Sequence, residues 1–139
     1  MKKLLTIFAI FFSLQSFGAL IVTGQLTNTD TMKVGDGTSY VRLTVIYNPT
    51  GSVDVLADIY KGKGSYNAGK QPLTANILQV HRTYSLDSAT VAGAPSSGLA
   101  GLSGKSLIDK MLFWVHQKIA TLIVADNPGF TVQVVDIKL

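Results

Sequence analysis

Tyr40-Val41-Arg42-Leu43-Thr44-Val45-Ile46-Tyr47-Asn48-Pro49-Thr50-Gly51-Ser52-Val53-Asp54-Val55-Leu56-Ala57-Asp58-Ile59-Tyr60 is the segment whose reading decides the fold. Val41, Leu43, Val45 and Tyr47 alternate with Arg42 and Thr44. Beyond the turn, Val53, Val55, Ala57 and Ile59 alternate with Asp54 and Asp58. A period of two places each apolar set on one side of a pleated strand and each polar set on the other. Between the runs stands Asn48-Pro49-Thr50-Gly51, in which proline presets its own φ and glycine is free to take a positive one. The segment therefore predicts a β-hairpin with one buried and one wet face.

Toward the N-terminus, Leu20 to Thr27 reads as a short strand ending in turn residues. Toward the C-terminus, Lys61 to Gln71 (KGKGSYNAGKQ) is a basic, glycine-rich loop, and Leu73 to Leu86 is strand-like again. There Leu78, Val80, Tyr84 and Leu86 share a face with Arg82, while Gln79, His81 and Thr83 look outward. Residues 88–104 (SATVAGAPSSGLAGLSG) are small and uncharged and read as a flexible loop. Ser106 to Val124 carries Ile108, Met111, Leu112, Val115, Ile119 and Leu122 at helical spacing, with Asp109, Lys110, Gln117, Lys118 and Thr121 on the other side. Ser106 and Asp109 form a capping pattern, and Asn127-Pro128-Gly129 ends the helix. Phe130 to Leu139 alternates as a closing strand. The expected fold class is α+β: a hairpin-based antiparallel sheet of about five to six strands, with one amphipathic helix packed on one face.

The first residues carry a different message. Lys2 and Lys3 precede an uncharged apolar run from Leu4 to Leu14, and Gln15 to Ala19 form a short exit containing small residues. That order is the pattern of a secretory signal peptide. A cut after Gly18 puts Ser16 and Gly18 at the two recognition positions, whereas a cut after Ala19 puts Phe17 at the outer one. The division expected is thus a signal peptide over 1–18 and a single α+β domain over 19–139, periplasmic or secreted. The alternative is a retained anchor, which reaches the roughly 20 apolar residues of a membrane span only by absorbing the exit region. Two of the twelve cations, Lys2 and Lys3, lie in the leader, so the domain holds ten cations against eight acids, a net charge of +2. So small an excess does not mark a nucleic-acid binder. All eight acids are Asp, which suits turns and caps better than helix interiors. With no cysteine, disulfides, thiolate metal sites and cysteine nucleophiles are excluded, and stability rests on the apolar core.

Candidate chemistry is thin. Gly64-Ser65-Tyr66-Asn67-Ala68-Gly69-Lys70 has the spacing of a phosphate-binding loop, but Gln71 stands where a magnesium-holding hydroxyl is needed, and Pro72 and a strand-like run follow where a helix must open. A surface loop is the expectation. His81 and His116 read as partly exposed or solvated, and a metal would need both plus an Asp. No Gly-x-Ser-x-Gly elbow is present. Asp54 and Asp58 stand about 13 Å apart along their strand, too far for a carboxylate pair. Asn28, Asp30, Asp36 and Gly37 lack the spacing and closing acid of a calcium loop. Lys61, Lys63 and Lys70 near Tyr60 and Tyr66 suit a solubilising rim better than a phosphate-tracking surface. Phe113 and Trp114 either widen the buried helix face or form a patch for self-association. No catalytic residue, cofactor or metal ligand is expected.

Val53-Asp54-Val55 with Ile59-Tyr60, then Ser65-Tyr66-Asn67-Ala68-Gly69-Lys70 and Pro72-Leu73, followed by a strand at Tyr84, a linker, a helix and a final strand, resembles short β-rich proteins encoded in tailed-phage and prophage genomes. The resemblance implies a virion, neck or tail component without enzymatic residues. The leader departs from it, since virion proteins assembled in the cytoplasm do not normally carry one. The expected function is an exported, non-enzymatic structural or interaction protein. It would present sheet edges or a helix face to copies of itself or to another protein, without nucleic acid, and would touch a membrane only through the uncleaved leader. The alternative is a small periplasmic ligand-binding module with its pocket between sheet and helix.

Overall fold

The structure, a computed structural model, describes residues 13–94 and 107–137. The hairpin forms as its alternation demands. Strand β4 (Thr38–Tyr47) and strand β5 (Val53–Tyr60) pair antiparallel from Tyr40↔Tyr60 to Tyr47↔Val53. Their turn closes through Asn48 N–H to the Ser52 carbonyl (2.9 Å) and Gly51 N–H to the Asn48 carbonyl (2.9 Å), with Gly51 at φ 85°. Val41, Leu43, Val45, Val53, Val55, Ala57 and Ile59 are all buried on one face.

With β1 (Ser13–Thr23), β6 (Thr83–Leu86) and β7 (Thr131–Val135), the hairpin forms a five-stranded antiparallel sheet of order β6-β5-β4-β1-β7. Strand β1 (Ser13–Thr23) lies between β4 and the closing strand β7 (Thr131–Val135). Ala19 to Thr23 pair in unbroken register with both neighbours, against Thr38–Arg42 on one side and Thr131–Val135 on the other. The strand starts earlier than the expected Leu20. Ser13 to Gln15 pair with Thr44–Ile46, and the register shifts between Gln15 and Ala19. The extension has a physical basis: β4 outruns Ala19, and Ser13 to Gln15 supply backbone partners for Thr44 to Ile46. The cut expected after Gly18 falls within this register break, so every β1–β7 pair belongs to the segment beyond it.

β1 ends at Gly24, whose N–H bonds the Gly37 carbonyl at 2.8 Å. Phe130 lies so close over Gly24 that a Cβ there would stand 2.6 Å from the ring, which explains the glycine. The chain then makes a second, two-stranded sheet from β2 (Leu26–Thr27) and β3 (Lys33–Val34). Residues 73–82, expected to be strand, are irregular; only β6 (Thr83–Leu86) pairs with β5. The cause is Gln79. Its side-chain oxygen accepts from Thr27 N–H (2.8 Å) and its amide donates to the Thr27 hydroxyl (2.7 Å), while Leu78 N–H reaches the Thr27 carbonyl (2.9 Å). These bonds fasten the segment to β2, burying Ile77 and Val80 and leaving Leu78 exposed.

The glycine-rich loop contains a short helix, α1 (Lys63–Asn67), closed by Gly69 at φ 69°. The start of the expected flexible stretch is also ordered: helix α2 (Ser88–Ala92) is N-capped by Asp87, whose carboxylate accepts from Thr90 N–H at 2.7 Å. The rest of that stretch, from 95 on, Ser106 of the expected cap, and residues 1–12 of the expected leader lie outside the described residues.

Helix α3 (Leu107–Asp126) packs on the sheet's apolar face. Leu112, Val115, Ile119 and Ile123 join Leu20, Val22, Val41 and Val55 in one buried cluster. The buried stripe is wider than the spacing suggested: Trp114 and His116 are inside, while Met111 and Leu122 are only partly covered. At the helix end the Asn127 backbone N–H (3.0 Å) and side-chain amide (2.8 Å) both reach the Ile123 carbonyl, and Gly129 at φ 94° turns the chain into β7.

Ile119 is fully buried and Gln117, on the same helix, is exposed. Ile119→Ala is expected to cost about 2–5 kcal/mol in urea unfolding and Gln117→Ala to stay within about 0.5 kcal/mol. Equal losses would show that a different helix face meets the sheet.

Candidate functional site

Polar side chains gather in three places: the sheet face away from α3, the turn end of the hairpin, and the helix core. On the first, Tyr40 of β4, Tyr60 of β5 and Tyr66 of α1 pack with ring centroids 5.3 Å (Tyr40–Tyr66) and 5.2 Å (Tyr60–Tyr66) apart. The Arg42 guanidinium lies 4.9 Å from the Tyr66 ring centroid, a cation–π contact. The Tyr40 hydroxyl donates to Asp136 Oδ2 at 2.7 Å, and Lys63 Nζ donates to Asp136 Oδ1 at 2.8 Å. Burial and the bond to Asp136 raise the Tyr40 pKa; the bonds from Lys63 and Tyr40 hold the Asp136 carboxyl below its usual range. Both oxygens of that carboxylate are thus occupied. The group clamps the end of β7 to β4 and α1.

The loop lysines are distributed through this rim. Lys61 pairs with Asp36 at 3.2 Å, Lys63 binds Asp136, and Lys70 is exposed after the end of α1. A phosphate-binding loop needs its lysine at the start of a helix. Here the short helix precedes Lys70 and Pro72 follows it.

At the turn end of the hairpin an open cleft of about 560 Å³ includes Asn48, Asp54, Ser85, Asp87, Thr90 and Lys118 in its lining. Asp54 accepts from Asn48 Nδ2 (3.0 Å) and Ser85 Oγ (2.8 Å), and these bonds lower its pKa. Asp87 is held low by Thr90 as the α2 cap. Each carboxylate serves a turn or cap. Asn28 does likewise: its side-chain oxygen accepts from the backbone of Asp30 (3.0 Å) and Met32 (2.9 Å). Among the described residues no three His, Asp, Glu or Cys side chains converge as a metal set.

The two histidines differ from each other. His81 is exposed, edge-on to Tyr84 at 5.7 Å. His116, expected to be partly exposed, is fully buried. Its Nδ1 is 2.7 Å from the Leu112 carbonyl, the bond of a helical i, i−4 pair, and its Nε2 lies beside the Gly18 backbone without a well-formed hydrogen bond to it. Nε2 abuts Gly18 so closely that a Cβ there would stand 2.9 Å away. His116, between Trp114 and the polar Gln117, reads in the sequence as partly exposed or solvated; the break in β1 at Gly18 makes room for its ring in the core. Burial lowers the His116 pKa, opposed by the Leu112 and Gly18 carbonyls, with the Arg42 charge adding to the lowering.

A groove without charge runs between α3 and β7. Phe113, Gln117, Ala120 and Val124 line it from the helix, and Val132 and Val134 from the strand. β7 is an outer strand of the sheet, and among the described residues its outer edge has no strand partner. The role of Phe113 and Trp114 divides accordingly: Trp114 is buried, while Phe113 faces the groove. No helix of the described residues is long and apolar enough to cross a membrane. Comparison with family models, with curated proteins and with solved structures finds no match to this chain.

The pH dependence of stability follows from His116. Its folded pKa lies below the ordinary 6.5, so the unfolded chain takes up a proton first as pH falls, and stability drops in the window beneath 6.5 while staying level above it. The urea midpoint should decline as pH falls below 6.5, and the decline should shrink in His116→Gln. An equal decline in the variant would place the titrating group elsewhere.

Proposed function

We propose that this chain is an exported, non-enzymatic structural or interaction protein that works by protein–protein contact through the β7 edge and the groove beside it. The observation that carries the reading is that edge. Natural sheets guard their edges with charges, proline, bulges or covering segments, because unpaired N–H and C=O groups recruit further strands. Thr131-Val132-Gln133-Val134-Val135 has no charge and no proline, and it borders an apolar groove. Backbone pairing on an edge, with side chains entering an adjoining pocket, is a recurrent mode of protein recognition.

The polar chemistry supports the same reading by its internal use. Asp54, Asp87 and Asp136 are engaged in a turn, a cap and a clamp. Between sheet and helix, the region assigned to a pocket by the ligand-binding alternative holds Leu20, Val41, Val55, Val115 and Ile119, packed in one cluster. Export follows from the leader, with the domain in the periplasm or medium, and a virion-type assembly is the form of association that the phage resemblance implies.

Light scattering on the domain 19–139 eluting from a size-exclusion column tests the reading. A mass above the monomer that rises with loading is the expected result. A strict monomer at high concentration would overturn self-association.

A further inference from the structure

We infer that the β7 edge pairs with the β7 edge of a second copy, antiparallel about a two-fold axis through Gln133, joining two sheets into one of ten strands. The inference rests on the self-association reading above and names its surface and register. A two-fold contact is isologous: whatever the strand presents must suit itself. β7 meets that condition along its whole length. Centred on Gln133, the register sets Val132 against the partner copy's Val134, and Val134 against its Val132, both on the groove side. On the opposite side Thr131 meets Val135, and Gln133 meets Gln133. β-Branched residues directly opposite one another are favourable cross-strand pairs, whereas like charges there are destabilising. The five residues contain no charge to repel its own copy.

The bounds of the strand define the window. Gly129 at φ 94° precedes it and Asp136 at φ 56° ends it, with the Asp136 charge already paired to Lys63. The edge is also independent of leader processing, since its partners on β1 begin at Ala19. An axis perpendicular to the sheet keeps both α3 helices on the same side, so the two grooves meet at the seam. Val124, an exposed apolar residue (40 %) at the groove, then gains a covered position. The other outer strand, β6, is a poorer candidate: it has four residues, and the charged Arg82 and Asp87 flank it.

The chain has no cysteine, so a single introduced one reports cleanly. Gln133→Cys in the domain 19–139, oxidised mildly at concentrations where light scattering shows association, should give a disulfide-linked dimer. Thr83→Cys on β6 should remain monomeric on a non-reducing gel. Gln133→Lys, which sets two ammonium groups face to face at an exposed position, should weaken association at least tenfold with unchanged circular dichroism. Association that persists in Gln133→Lys, or cross-linking at Thr83→Cys and not at Gln133→Cys, would overturn this interface and leave self-association standing. Equal cross-linking at both sites would mean unspecific collision and would also overturn it. Absence of any association in the parent domain would remove both readings together.

Discussion

The structure depends on the insertion of β1 between β4 and β7. The hairpin is local and can form from its own turn, but among the described residues β7 has no neighbour in the sheet except β1. Leu20 and Val22, both fully buried, carry the apolar face across this junction and meet the same cluster as Ile119 and Ile123 of α3. The first and last strands of the domain are therefore side by side, and pairing them closes a loop of more than a hundred residues, a non-local contact of high entropic cost. Gly24 marks the end of this junction, where Phe130, just before β7, lies over the glycine and fixes the approach of the last strand.

That arrangement makes the two faces of the sheet unlike. The α3 face is a packed core of Val, Leu and Ile with one buried imidazole, His116, set against the irregular part of β1. The far face is bound at one end by the Tyr40–Tyr60–Tyr66 cluster, with Arg42 over Tyr66 and Asp136 holding Tyr40 and Lys63. The clamp on Asp136 holds the end of β7 in place while the strand's outer edge remains open among the described residues. A fixed edge next to an uncharged groove is suited to recognition because little ordering remains to be done on contact.

The fold class was legible because its strongest signals are local. The β4–β5 alternation, the Asn48–Gly51 turn and the helical spacing of Leu112, Val115 and Ile119 each follow from the period of one element. What alternation could not reveal was set by distant partners. Gln79 reads as an outward polar residue of a strand, yet its amide bonds to Thr27 convert that stretch into an irregular segment. His116 reads as partly exposed or solvated, yet a glycine in β1 makes a place for it in the core. The ordered turn at α2 was readable from Asp87 as a cap for Thr90 but was hidden by the small-residue composition that follows. Of the proposed interaction surface, the alternation of the closing strand and Phe113 were visible in the sequence; that the strand is limited to the uncharged Thr131–Val135, and that it borders one groove with Phe113 at an outer edge of the sheet, required the strand bounds and the strand order.

Native-state hydrogen exchange on the protein tests the central place of β1 most directly. Amides of a strand held on both sides open only with the whole domain, whereas those of an outer strand open locally. The Leu20, Ile21 and Val22 amides should match the slowest amides of β4 and exchange with the free energy of global unfolding, well behind those of β6. Exchange of these three amides as fast as those of β6 would contradict the account, because it would mean that β1 is a detachable edge and not the strand on which the sheet closes.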